Sequence, residues 1–315
     1  MEKGCYTGKI VVVGAGNVGA TVAYTLLLRH LGNEIVLVDV AKDKASGEAL
    51  DLQHATSFYT SAGIRDGDYD ECADADVIVV TAGVGRKPGQ TRIELAQTNA
   101  AIAKSIAAGI KQYAKDPVVV VISNPVDIIT YVIQKETGIP ANRCFGSGTS
   151  LDTARLRYAC AAQLDMDARD MNIYVVGEHG DSMVPVWSCA NAAGAPLKEL
   201  IEASGASCEE IMTRTVDGGA EIIRKKGATF YGVSNAAAKI VAAILGDEDA
   251  VVSVTKVQEG EFMGISDVAV SLPYIVNKTG IVKSVPLAMD DAEKEGFKTS
   301  AGKLKEVIVE VLGVK

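Results

Sequence analysis

Gly177-Glu178-His179-Gly180-Asp181-Ser182 places one of the chain's three histidines on a turn between glycines. Imidazole is the side chain whose ordinary pKa lies near neutrality, so a histidine presented this way can give a proton to a reacting atom and take one back. Packing or plain hydrogen bonding is the commoner use of a lone histidine, and the hexapeptide by itself leaves both open. A second group lies in Leu151-Asp152-Thr153-Ala154-Arg155-Leu156-Arg157, which reads as a helix start with Asp152 and Arg155 three apart on one face. That spacing suits an intrahelical ion pair. It equally suits a division of labour in which Asp152 holds the imidazole of His179 while the forked guanidinium of Arg155 grips a carboxylate. The loop Val84-Gly85-Arg86-Lys87-Pro88-Gly89-Gln90-Thr91-Arg92 adds three cations and two glycines. It fits either a solvated basic loop or a lid that closes over an anion and excludes water.

The elements that must position these groups begin at Lys9-Ile10-Val11-Val12-Val13, a β-branched run of the kind buried on both faces of a parallel sheet. Gly14-Ala15-Gly16-Asn17-Val18-Gly19 follows and opens a helix around residues 21–29, giving GxGxxG between strand and helix. Gly14 serves the tight turn, Gly16 the close approach of a pyrophosphate, and Gly19 the packing of helix on strand, while the helix N-terminus offers free N–H groups. The next strand, residues 34–38, ends at Asp39, 20 residues beyond Gly19. A carboxylate there accepts the ribose hydroxyls of an adenosine and repels a 2′-phosphate, which favours NAD over NADP. Strands at residues 76–80 and 118–122, with a helix over about 91–111, complete a doubly wound parallel sheet. Their trailing loops, Thr81-Ala82-Gly83 and Ser123-Asn124-Pro125, lie where such sheets bind ligands.

Composition narrows the function classes. The 315 residues suit two domains sharing a cleft. No apolar run reaches the ~18 residues of a membrane span, and residues 1–9 lack the apolar core of a signal peptide, so a soluble cytoplasmic chain is expected. A formal charge of −9 with no basic stripe argues against nucleic acid and anionic lipid as partners, and leaves any anionic ligand to local arginines. The six cysteines show neither CxxC nor histidine partners at ligand spacing, so reduced thiols are expected and no metal site is read. Beyond Gly146, strand-like runs at residues 172–176, 250–257 and 267–272 predict a smaller α+β unit. It closes with an amphipathic helix over 290–312 that carries Phe297, Ala301, Leu304, Ile308 and Val311 on one stripe. The fold class is therefore α/β: a Rossmann-type doubly wound sheet over 1–145, followed by a smaller α+β substrate domain over 146–315.

Taken in order, GAGNVG with Asp39, the TAG loop ending in Thr91-Arg92, SNPVD at 123–127, GSGTSLDTARLR at 146–157, GEHGDS at 177–182 and KKGATFYG at 225–232 resemble the L-lactate/L-malate dehydrogenase family along the whole chain, its bacterial lactate branch most of all. The resemblance implies reduction of a small 2-oxo acid by NADH, with His179 as general acid oriented by Asp152. It also implies Arg92 polarising the substrate carbonyl, Arg155 binding the carboxylate, Asn124 hydrogen-bonding the reacting oxygen, and Thr229 lining the far wall. Gly14, Gly16, Gly19, Asp39, Val18, Lys44, Tyr69, Gly83, Ser105, Ile122, Asn124 and Ser147 fall at family positions that bind or flank NAD. A homo-oligomer follows too, as a tetramer or at least a dimer.

Two departures bear on substrate and regulation. In the family, the lid position of Arg86 usually carries glutamine in lactate enzymes and arginine in malate enzymes, where it neutralises the second carboxylate; pyruvate has only a methyl to offer it. Against Arg86 stand Glu178 and Gln90, where the malate branch typically has glycine and methionine, and lactate-type KKGATFYG and Val184-Pro185-Val186-Trp187-Ser188. The lactate reading is favoured, with malate as the alternative. Arg157 matches one arm of the family's fructose-1,6-bisphosphate site, but Asn172 replaces its histidine, which predicts weak or absent activation. A module that binds NAD without turnover is a rival opposed by the intact set His179, Asp152, Arg92 and Arg155. An NAD-dependent glycosidase of related fold is a second rival, and it lacks the Cys/His arrangement that a metal would need.

Overall fold

The computed structural model describes residues 6–59, 62–85 and 89–313. Arg86, the proposed discriminator of substrate, lies outside the described residues. The first half runs β1 (Lys9–Val13), α1 (Asn17–Leu28), β2 (Glu34–Val38), α2 (Lys42–Tyr59), β3 (Gly63–Gly67), β4 (Val77–Val80), α3 (Arg92–Tyr113), β5 (Val118–Val121), α4 (Val126–Thr137) and β6 (Cys144–Gly146). These six strands pair in parallel in the order β3-β2-β1-β4-β5-β6. The central strands are buried Val and Ile on both faces because helices cover the sheet above and below. Chain direction across the sheet reverses between β1 and β4, so a crevice opens beyond their C-terminal ends, between the Gly14 turn and the Thr81-Ala82-Gly83 loop.

The second half contains α5 (Ser150–Leu164), β7 (Met171–Asn172), β8 (Val175–Val176), β9 (Val184–Pro185), β10 (Asn191–Ala192), β11 (Ala195–Pro196), α6 (Leu197–Ala203), α7 (Cys208–Lys226), α8 (Tyr231–Leu245), β12 (Ala250–Glu259), β13 (Ser266–Asn277), β14 (Gly280–Ser284) and α9 (Asp291–Leu312). The expected single strand over 172–176 is two short strands in different sheets. β7 pairs with β10 while β8 pairs with β9, and Ile173-Tyr174 turn the chain from one to the other. The expected strands at 250–257 and 267–272 are the centre of a longer hairpin, β12–β13. Its first strand pairs antiparallel with β6, Thr255 opposite Gly146, so β12-β13-β14 extend the Rossmann sheet to nine strands among the described residues.

Helix ends follow local chemistry. Thr91 caps α3, Ser207 caps α7 and Asp290 caps α9, each in a reciprocal capping box with the glutamate three residues on. In α9, Phe297, Ala301, Leu304 and Ile308 are buried against the main core, and Val311 near the helix end is half-buried.

Candidate active site

The three glycines of the β1–α1 turn occupy three different environments. Gly14 has φ +111°, and a Cβ there would lie 2.5 Å from the Ala82 nitrogen. At Gly19 a Cβ would fall 1.7 Å from the Gly14 carbonyl oxygen, so only glycine lets α1 sit this close to the strand end. Gly16 is different: a Cβ would meet nothing within 4 Å. Its backbone faces an open cleft of about 650 Å³, lined by Gly14, Gly16, Asp39, Lys44, Tyr69, Gly83 and Ser105, among others. Asp39 at the end of β2 accepts the Ala15 N–H at 2.6 Å and the Ala41 N–H at 2.9 Å. A carboxylate has lone pairs to spare beyond these two bonds. Unobstructed backbone at Gly16, an acceptor at Asp39 and a cleft of this volume lined by both fit a dinucleotide.

Past the switch point, a cavity of about 80 Å³ is lined by Val18, Ile122, Asn124, Ser147, Gly148, Leu151, Arg155, His179, Thr229 and Val233. It gathers side chains from α1, the β5–α4 loop, α5, the His179 turn and the segment before α8. The remaining cofactor positions expected from the sequence, Val18, Ile122, Asn124 and Ser147, are therefore at this second cavity; Gly19 lines neither and is buried in helix packing.

Asp152 organises the polar wall. Its carboxylate is fully buried in the first turn of α5. One oxygen accepts from Arg155 Nη1 at 3.1 Å; the other meets His179 Nδ1 at 2.5 Å. An ionised carboxylate only accepts, so Nδ1 carries the hydrogen and Nε2 is left to exchange a proton with the cavity. The two readings of the Asp152–Arg155 spacing hold together: the ion pair forms, and the same carboxylate holds the imidazole. Burial pushes His179 toward its neutral form, but the charge and hydrogen bond of Asp152, with a smaller contribution from Asp127, outweigh it and raise the pKa above its ordinary value. Burial likewise opposes ionisation of Asp152, and the His179 and Arg155 cations prevail, holding its pKa below the usual carboxylate range. Arg155 packs closely on α7, where a Cβ at Gly219 would lie 3.3 Å from its Nη2.

Arg92 stands apart from this cavity. It is the first residue of α3 and donates to Asp181 at 2.6 Å, at the rim of the His179 turn. Four further residues escaped the sequence reading as functional. Asn99 is buried in α3, where it bonds both the N–H and the carbonyl of Val84 and donates to the Asn124 carbonyl at 2.7 Å, fixing the start of the basic loop against the Asn124 loop. Ser300 of α9 accepts the Glu178 N–H at 2.8 Å, and Asp127 of α4 accepts the His179 N–H at 2.8 Å. Asp181 receives Arg92. Of these, Asp127 and Asp181 lie inside the motifs at 123–127 and 177–182, which is the only signal the sequence offers for them.

Residues 8–146 match the family model described as lactate/malate dehydrogenase, NAD binding domain, and residues 149–314 match lactate/malate dehydrogenase, alpha/beta C-terminal domain. The chain is 44% identical over 306 residues to an L-lactate dehydrogenase of Acetivibrio thermocellus, covering 95% of this chain and 96% of that one. It is 41% identical over 312 residues to an L-lactate dehydrogenase of Kosmotoga olearia, covering 96% of each. Among solved structures, a lactate dehydrogenase from a Medee basin deep-sea metagenome library superposes with a TM-score of 0.93 at 38% identity, over 97% of this chain and 99% of that one. The minor L-lactate dehydrogenase of Enterococcus mundtii gives 0.92 at 39%, over 96% and 98%. With both halves matched in order, a nucleotide cleft at the switch point and a histidine–aspartate–arginine cluster at a second cavity, the chain belongs to the lactate/malate dehydrogenase family.

Proposed function

We propose that the chain is an NAD-dependent L-lactate dehydrogenase that reversibly reduces pyruvate to L-lactate. The observation that carries the 2-oxo acid chemistry is the shared use of Asp152, which holds His179 and Arg155 against the same small cavity, and lactate rather than malate is supported by the L-lactate dehydrogenases the chain is similar to. Gly14, Gly16, Gly19, Asp39, Lys44, Tyr69, Gly83 and Ser105 would hold or shape the dinucleotide's adenosine and pyrophosphate side. Val18, Ile122, Asn124 and Ser147 would border its nicotinamide. When bound there, NADH would supply the hydride for the substrate's carbonyl carbon.

The chain's own groups do the rest. Arg155 binds the substrate carboxylate through two parallel N–H bonds. His179 Nε2 gives its proton to the carbonyl oxygen, becoming neutral imidazole as the alcohol forms, and takes the proton back in lactate oxidation. Asp152 keeps the ring in one tautomer and favours its charged form before transfer. Asn124 and Arg92 stabilise the oxygen as negative charge develops on it, Arg92 after leaving Asp181. Thr229 bounds the pocket on the side of the substrate methyl. The division that best serves this chemistry is a nucleotide-binding domain over 1–145 and a substrate domain over 146–315. A homotetramer in the cytoplasm is proposed on the resemblance set out above. Among the described residues no helix is long and apolar enough to cross a membrane.

Malate is the second reading, and it rests on Arg86 in the sequence. Comparing kcat/KM for pyruvate and oxaloacetate with NADH, with and without fructose-1,6-bisphosphate, decides between them. A pyruvate preference of about a hundredfold, some 2.7 kcal/mol in transition-state binding, supports the lactate reading; a preference for oxaloacetate overturns it. The bisphosphate is expected to leave the pyruvate value within about twofold. Asn172 is an exposed neutral amide that donates to Asn191 at 3.3 Å, so the position of the family's histidine brings no positive charge to a phosphate.

A further inference from the structure

Behind the catalytic histidine lies a second carboxylate that the mechanism above does not use. Asp127 sits in the first turn of α4, three residues after Asn124, and is 2% exposed. Its Oδ2 accepts the main-chain N–H of His179 at 2.8 Å. Among the described residues its Oδ1 has only a weak contact, with the adjacent buried hydroxyl of Thr255 on β12. A buried charge left half-satisfied is costly, and a hydrophobic or amide side chain would fill the same space more cheaply.

We propose that Asp127 is a positioning residue for the reaction: it fixes the main chain of His179 relative to the loop carrying Asn124, and its charge helps keep the imidazole protonated. This rests on the assignment of His179 as the proton donor. Asn124 and His179 approach the cavity from separate elements, 55 positions apart in the chain. The Asp127–His179 bond is a direct tie between them, and Asn99 adds a second restraint on the Asn124 side. The groups facing His179 are Asp152 and Arg155 on α5 and Asp127 on α4; those facing Asp127 are His179 and Glu178 on the turn, with the neutral Thr255 on β12. Burial, partly offset by the Thr255 hydroxyl, the His179 N–H and the imidazolium charge, leaves Asp127 raised to about 6. Above that pH Asp127 is charged and adds its support to the imidazolium, which is the range where the histidine would otherwise begin to give up its proton.

Asp127→Asn keeps an acceptor oxygen for the His179 N–H and removes the charge; Asp127→Ala removes both. With D127N, the alkaline fall of kcat/KM for pyruvate is expected to move to lower pH by about 0.5, with KM for NADH unchanged. With D127A, kcat is expected to fall at least tenfold at every pH, again with KM for NADH unchanged. Titrating the three histidines of D127N by NMR reads the same displacement without substrate: the His179 resonance moves and those of His30 and His54 do not. This arm remains decisive even where D127A fails to fold, and it separates a fault in this inference from a fault in the choice of substrate. A D127N enzyme whose pH profile and His179 titration both superimpose on the parent's overturns the proposal. So does a folded D127A enzyme with kcat within twofold of the parent.

Discussion

Arg92 and Asp181 meet as a two-point ion pair, Nη1 to Oδ2 at 2.6 Å and Nη2 to Oδ1 at 3.3 Å, with the two side chains 69% and 68% exposed. Pairs this open to water stabilise by about 0.2–1 kcal/mol, so Arg92 is held beside the His179 turn by a contact that a bound anion can replace. Arg92→Gln should therefore lower kcat for pyruvate by about 10²–10³ through loss of oxyanion stabilisation, while the melting temperature stays within about 1 °C. Steady-state kinetics beside a thermal melt checks this, and a large drop in melting temperature with kcat retained would reverse the assignment.

The Asp152–His179 bond sets a pH dependence whose sign is fixed. The folded pKa of His179 is raised, so pyruvate reduction is full below that pKa and is lost as pH rises through it. Asp152→Asn removes the main cause of the rise. The alkaline limb should move to lower pH by more than in D127N, and the rate on that limb should fall about tenfold for every whole pH step it has moved. KM for pyruvate should rise as well, since Arg155 keeps an acceptor oxygen but loses the negative charge that holds it. A pH–rate series with pyruvate reads both effects.

Gly16 and Gly19 separate binding from folding. Gly16→Ala places a methyl in open cleft space and should leave the melting temperature unchanged within about 2 °C while weakening NADH about tenfold, as a methyl at the closest approach of the phosphates would. Gly19→Ala drives a methyl into the Gly14 carbonyl and should cost at least about 3 kcal/mol of stability. Fluorescence titration with NADH and a denaturant melt distinguish the two.

Acid stability should centre on Glu71. Its carboxylate takes two bonds from Arg65 and one from Lys9, tying β3 and β1 to the turn at residues 69–74. Hydrogen bonds from Arg65, opposed by burial and aided by Lys9, hold its pKa down at about 2. The stabilisation is thus complete above the unfolded carboxylate range and is lost as pH falls through the folded value. Glu71→Gln should cost about 1 kcal/mol at pH 7 after allowance for solvent screening, with the difference from the parent vanishing toward pH 2. Urea melts across that range provide the test.

Much of this architecture is legible in the residues themselves. The parallel strands announce themselves because a strand covered on both faces must be apolar throughout, as Val118–Val121 is. Asp39 is legible because the fingerprint fixes its distance from the glycines. The edge strand β3, Gly-Ile-Arg-Asp-Gly, is not, since it is held by pairing to β2 rather than by an apolar run. Nor is the merging of β12 with β6, because hydrophobic pattern encodes burial and not partner. The Asp127 contact is hidden for a further reason: it reaches 52 residues along the chain to a backbone N–H, a group that every residue but proline carries, so no side-chain pattern marks it.

The three-residue strand β6 carries β5 on one edge and β12 on the other. A break in the chain just after it would not yield two tidy pieces. Each fragment would bare a row of unpaired N–H and C=O groups along a buried-type strand, the surface on which polypeptides aggregate. The two fragments, co-expressed, would be each other's best remedy, and reassembly of the severed enzyme through that seam would restore the alignment of nucleotide cleft and His179 that the intact chain has from synthesis.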